Sequence, residues 1–260
     1  MITRKLEEAR KAFRNKDVDA SIAAHDIEME QHERGGQYIK SLVYGGLDGI
    51  ITTFAIVAGV AGASLSSGVI LVLGFANLIA DGLSMAIGDY LSTKAENDYT
   101  KTERAREEWE VDVNPEGEKE EIRLIYENKG VSKEDSKQIS EIISKYKNVW
   151  VDTMMVEELG LFNEEESPVK NALVTFFSFI VFGFIPLSIY ILAIFITDIT
   201  HTFYYASALT GVTLFILGAF KGKVTGSSVI KSGFEMMIVG GIAAISAYAI
   251  GHLLSGFANN

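Results

Sequence analysis

The chain contains no cysteine, which excludes disulfides and thiolate metal sites at the outset. Histidine is scarce as well, with 4 residues, at positions 25, 32, 201 and 252, and none follows a glutamate at the Glu-x-x-His spacing. That removes a di-iron oxidase, which needs such motifs paired on facing helices, and no enzyme is expected. Positive charge is short: 23 Lys and Arg face 34 Asp and Glu, a net charge of -11. An acidic balance of this size argues against nucleic acid and for attraction of cations. The first 35 residues lack the apolar core of a signal peptide, so membrane insertion is expected to begin with the first apolar span.

What is present is apolar sequence gathered in blocks. Spans are predicted at about 39–63, 67–92, 169–197, 203–220 and 233–256, each near the length that crosses a hydrocarbon core. The expected fold is all-α, a polytopic membrane protein with five transmembrane helices. Its expected organisation is a polar helical arm over 1–38, helices 1 and 2 over 39–92, a helical metal-binding insert over 93–168, helices 3–5 over 169–256, and a tail over 257–260. Basic residues fix the orientation: eight fall before residue 41, twelve between Thr93 and Lys170, and Lys221, Lys223 and Lys231 before the last span. The links around Ser64 to Ser67 and Asp198 to Thr202 carry none, so the N-terminus and the insert are expected to be cytoplasmic.

Acidic residues inside these spans are the first functional signal. Asp48 lies in the first span, and Asn77, Asp81, Met85 and Asp89 recur every fourth residue in the second, forming a stripe expected to face protein. An aspartate near the bilayer centre costs about 2.5 to 3.5 kcal/mol on insertion scales, so such residues are usually kept for a task. The expectation is a cation path lined by Asp48, Asp81, Met85 and Asp89; the competing reading is that the acids only fix helix packing. Glu235, at the start of the fifth span, is either a relay or an interface residue. Glycines 45, 46, 49, 59 and 62 predict close helix approach in the first span. Pro186 should kink the third.

The insert carries the second signal. Past Tyr90 the pattern turns amphipathic, so the second helix should run on to about Val111. Asn114 and Pro115 should open a helix closing near Gly130, Ser132 and Asp135 another ending near Lys147, and a last helix should run from about Val149 to Gly160. Glu103, Glu107 and Glu110 share one face, Glu118 and Glu121 repeat the spacing, and Met154, Met155 and Glu158 occupy one later turn. Oxygen ligands alone would suit Mg2+ or Ca2+, but added thioethers favour Fe2+ or Mn2+. The competing reading is an ordinary solvated face, since Arg104, Arg106 and Lys119 are interleaved. His25, Glu28, Met29 and His32 share a face of the arm, either a small metal site or incidental histidines.

The stretches from Tyr44 through Asp48 to Gly59, from Asn77 through Asp81, Met85 and Asp89 to Tyr90, Asp152 through Met154, Met155 and Glu158, and Ser232 to Met236 together resemble the vacuolar iron transporter family over residues 40–256. The resemblance implies a homodimer of five-span chains that exports Fe2+ from the cytosol in exchange for protons, with Mn2+ a further substrate. It also implies that Asp48 and Met85 line the passage, and that Glu107, Glu110, Glu118, Glu121, Met154, Met155 and Glu158 hold metal in the insert. Glu103 is an extra acid, and the arm lies outside the match. The metal enters as cargo, with no catalytic cofactor expected. The alternative from another class is a membrane-tethered iron sensor or buffer that binds metal without moving it. A prokaryotic cell membrane is the expected location, since no targeting extension precedes the arm, with a vacuolar membrane the alternative.

Overall fold

A computed structural model describes residues 11, 13–20, 37–162, 166–196 and 201–258. Among them there are no strands, and eight helices follow one another: α1 (Gln37–Gly62), α2 (Ser67–Val113), α3 (Pro115–Asn128), α4 (Lys133–Ile143), α5 (Lys147–Glu157), α6 (Pro168–Phe195), α7 (Thr202–Val224) and α8 (Val229–Ala258). Five of these, α1, α2, α6, α7 and α8, are long and apolar enough to cross a membrane. The protein is thus an all-helical, polytopic membrane protein with five such helices. The chain divides into two compact units, one of residues up to Asp89 with Lys170 onward, the other Tyr90–Val169.

In the first unit α8 packs along α7 and α1, and α1 also meets α7. Its apolar centre is Phe54, Val57 and Val60 of α1, Ile70 and Leu78 of α2, Phe179, Leu187 and Tyr190 of α6, and Ala206 of α7. Backbones approach closely because glycine leaves room: a methyl group on Gly45 would stand 2.6 Å from the Thr175 carbonyl oxygen, and one on Gly49 would strike that of Phe179. At the other end of α1, Gly62 lies against the Tyr248 backbone of α8. Helix α6 runs through Pro186 without interruption. On α2 the buried side holds Ile70, Gly74, Leu78 and Gly82, while Val72, Phe75, Ile79, Leu83 and Ile87 are exposed. Large apolar side chains exposed in this way suit lipid, where the helical backbone satisfies its own polar groups.

The second unit is the charged continuation of α2 with α3, α4 and α5. Asn114 caps α3 by accepting from the Gly117 N–H at 3.4 Å, with Pro115 at the first position, where a missing N–H costs nothing. The helix closes on Gly130 (φ +95°) in a Schellman turn, Gly130 N–H to Glu127 O and Val131 N–H to Tyr126 O. Ser132 caps α4 by accepting from the Asp135 N–H at 3.1 Å. Helix α4 ends at Ile143, four residues earlier than expected, and a turn leads into α5 at Lys147. Val111, Ile122, Trp150, Val151, Met154 and Met155 make the core. Two ion pairs fasten α5 to α2, Arg104 with Asp152 at 2.5 Å and Lys147 with Asp112 at 2.6 Å.

Of the arm, residues 11, 13–20, 37 and 38 are described, the last two as the start of α1, and the first stretch breaks at Lys16 (φ +53°), after which Asp17 accepts from the Ala20 N–H at 3.0 Å. That break favours two short helical pieces over one. His25, Glu28, Met29 and His32 lie outside the described residues.

Gly49→Ala should destabilise the protein by about 1–3 kcal/mol, since backbone cannot yield as a side chain can. Gly211→Ala, which meets open space, should leave the thermal midpoint in detergent unchanged or raise it. Equal midpoints for the two variants would contradict the close approach of α1 and α6.

Candidate metal centre and membrane path

In the membrane-spanning unit, Asp48 of α1 and Asp81 of α2 are half-buried and within electrostatic reach of one another. Neither carboxylate has a hydrogen-bond or ion-pair partner among the described residues. Met85, one turn beyond Asp81, is partly buried against the apolar centre. All four stripe positions, Asn77, Asp81, Met85 and Asp89, are half-buried, so the stripe runs along the edge of the buried side of α2. The amide nitrogen of Asn77 is buried without a partner among the described residues.

Asp89 is placed differently. Its Oδ2 accepts from Ser41 Oγ of α1 at 3.1 Å and from Thr175 Oγ1 of α6, so one carboxylate oxygen ties three helices together. Ser178 Oγ of α6 donates to the Leu42 carbonyl at 2.5 Å alongside. No sequence signal pairs residues 41, 89 and 175, which are small polar side chains far apart in the chain. Glu235 is exposed and stands 3.7 Å from Lys221.

In the second unit the acidic residues of α2, α3 and α5 come together. Glu107 feels the charges of Glu158, Glu110 and Glu121, and Glu118 feels those of Glu121, Glu107, Glu110 and Glu158. Glu107 and Glu118 are 3% and 4% exposed, and Oε2 of each is buried with no hydrogen-bond partner among the described residues. Burial first, then Glu158 and Glu110, pushes Glu107 up to about 7, with Arg106 opposing. Burial, then Glu121 and Glu107, pushes Glu118 up to about 7. Glu158 is open to solvent overall, yet desolvation and the neighbouring Glu121 and Glu110 raise it as well. Met154 and Met155 are fully buried in the same core as Val111, next to Glu110, and Ile122, one turn from Glu118. Glu103 stands apart from this group, 3.8 Å from Arg106.

Chemically, this is a set of carboxylate oxygens with too few donors, bordered by two thioethers. Two buried oxygens without partners fit a cation better than they fit an apolar core. Among the described residues no three His, Asp or Glu side chains are already drawn tightly around one point. A cation would therefore have to pull the carboxylates inward.

The sequence pattern that defines the VIT family matches residues 39–252. The chain belongs to the VIT family. It is 42% identical to the vacuolar iron transporter of Toxoplasma gondii, over 96% of this chain and 89% of that protein. It is 39% identical to the vacuolar iron transporter of Plasmodium falciparum, over 98% of both chains, and 33% identical to vacuolar iron transporter 1 of Arabidopsis thaliana, over 86% of this chain and 89% of that one. The match over residues 39–252 takes in four of the five long helices in nearly their whole length, most of α8, and the charged helices between α2 and α6.

The raised carboxyls have a consequence for stability. Without metal, the folded protein holds protons on Glu107 and Glu118 that the unfolded chain has released, so their contribution is fully present below the ordinary carboxylate range and is lost as pH rises through about 7. Both tryptophans, Trp109 and Trp150, lie in this unit and report its unfolding by fluorescence. In chelator the midpoint should fall between pH 5 and pH 8, and Mn2+ at pH 8 should restore it. A midpoint that climbs with pH in chelator would contradict the burial of these two acids.

Proposed function

We propose that this chain is a proton-coupled transporter of divalent transition metal, moving Fe2+, and Mn2+ with it, out of the cytosol. Support comes from VIT family membership, from relatives named vacuolar iron transporters, and from the buried Glu107 and Glu118 oxygens that have no hydrogen-bond partner among the described residues. The observation that carries transport is the Asp48 and Asp81 pair, which has no donor among the described residues. A sensor or buffer would need only the insert and would leave that pair without a task.

In this reading Glu107, Glu110, Glu118, Glu121 and Glu158 collect the ion, with the sulfurs of Met154 and Met155 completing a set soft enough to prefer Fe2+ to Mg2+ or Ca2+. The ion then passes to Asp48, Asp81 and Met85, where the single thioether repeats the preference. A carboxylate in a poorly solvated site holds either a proton or a share of a cation, so protons arriving from the far side displace the metal. Asp89 serves as the fastening that keeps α1 and α6 against α2. Glu235, exposed and beside Lys221, takes the interface role over the relay, and Glu103 that of a partner to Arg106. The distribution of basic residues supports a cytosolic N-terminus and insert. The membrane is vacuolar in type, after the relatives' names; the expected prokaryotic cell membrane finds no support among them. Two copies work together, as the family resemblance implies.

In liposomes with an imposed pH gradient, Asp48→Asn should reduce metal-driven proton flux to that of protein-free vesicles, and undiminished flux would remove Asp48 from the path. Changing Glu107, Glu110, Glu118 and Glu121 together to Gln should weaken metal loading by at least about tenfold, a loss of 1.4 kcal/mol or more, while slower transport persists. If loading is unchanged, the insert does not collect metal.

A further inference from the structure

Basic residues around the acidic cluster are not equivalent. Arg104 is held by Asp152 and Glu108, Lys119 by Glu116, and Arg123 by Glu120 and Glu127, all outside the cluster. Arg106 differs. Its Nε donates to Glu110 Oε1 at 3.2 Å, and its Nη1 lies 3.8 Å from Glu103 Oε2. Glu107 and Glu158 also feel its charge, and among the described residues it is the basic side chain that does this for the cluster.

The guanidinium is nevertheless loosely placed. Its side chain is 63% exposed, and an exposed ion pair gives way easily to a stronger competitor. It serves the outer carboxylates, Glu110 and Glu103, and leaves the buried Oε2 atoms of Glu107 and Glu118 without any hydrogen bond. Those two buried oxygens are an independent sign that something other than Arg106 completes the centre. A divalent ion bound there would compete with Arg106 for Glu110, and like charges at that range repel.

We propose that Arg106 is a displaceable counter-ion built into the metal centre: it occupies Glu110 in the empty protein and leaves when a divalent cation enters. This rests on the reading that the insert collects metal. Its effect is to weaken binding and speed release. Both serve a protein that must surrender its ion, since a centre neutralised by the metal alone would hold it longer. Arg106 is thus an affinity-setting residue, distinct from the ligands.

The test uses the full chain in detergent with Asp48→Asn as background, so that the membrane path does not contribute. Free Mn2+ is followed by its electron paramagnetic resonance signal, and release is timed by mixing with excess EDTA. Arg106→Gln should tighten Mn2+ binding by at least about threefold and slow release by a similar factor, whereas Arg106→Lys, which keeps the charge, should stay near the parent. A merely structural role would loosen binding instead of tightening it, and tryptophan fluorescence confirms that each variant is folded. If Arg106→Gln binds as the parent does or more weakly, while Glu107→Gln with Glu118→Gln abolishes binding, the Arg106 proposal is overturned and the insert centre stands. If that double variant binds like the parent, the insert reading fails and the Arg106 proposal falls with it.

Discussion

A carboxylate removed from water has to find a proton, a hydrogen-bond donor or a cation, and the acidic residues of this chain separate according to which of these the fold provides. Asp89 has two hydroxyl donors, from Ser41 and Thr175. Glu103 and Glu235 have Arg106 and Lys221. Among the described residues, Glu107 and Glu118 each keep a buried oxygen with no hydrogen-bond partner, and Asp48 and Asp81 lie within electrostatic reach of each other without a donor. Partnered acids build the protein, and unpartnered ones are those the proposed mechanism assigns to cargo. Removing one partner of a satisfied group leaves an orphan, while a bare group awaits its second component.

Each compact unit supports its bare carboxylates by different means. In the membrane-spanning unit, glycines let α1 pack tightly on α6 and α8, and this fixes the helix that carries Asp48. In the insert, the pairs Arg104 with Asp152 and Lys147 with Asp112 fasten α5 to α2, and the methionines fill the core between them. Buried methionine packs well whether or not metal is bound, because its thioether is apolar enough for a core and soft enough for a transition ion. The insert can therefore fold empty and still present sulfur. One helix, α2, contributes residues to both units: Asp81 and Met85 to one, Glu107 and Glu110 to the other.

The five long helices were legible in the sequence because apolar runs need no partner information, and the caps at Asn114 and Ser132 were legible because capping is local. So was the second helix running past its apolar part, to Val113, two residues beyond the expected end. The long-range ties were not. Asp89 reads like the other stripe residues until Ser41 and Thr175 are seen to meet it, and periodicity gives no hint of that. Arg106 likewise looks like one more interleaved base beside Arg104 and Lys119; its pairs with Glu103 and Glu110 are one-turn contacts on α2, but its reach to Glu158 appears only once α5 is packed on α2. The early end of α4 at Ile143 depended on a turn before Lys147 that carries neither glycine nor proline.

In the proposed mechanism, desolvated carboxylates exchange protons for a divalent ion. Counting protons released when Mn2+ is added to the unbuffered, metal-free protein at a fixed pH tests it most directly. Binding at pH 6.5 should expel protons, since Glu107 and Glu118 then hold them in part, and binding at pH 9 should expel almost none. Tight binding at pH 6.5 with no proton released, or release that grows toward pH 9, would contradict it.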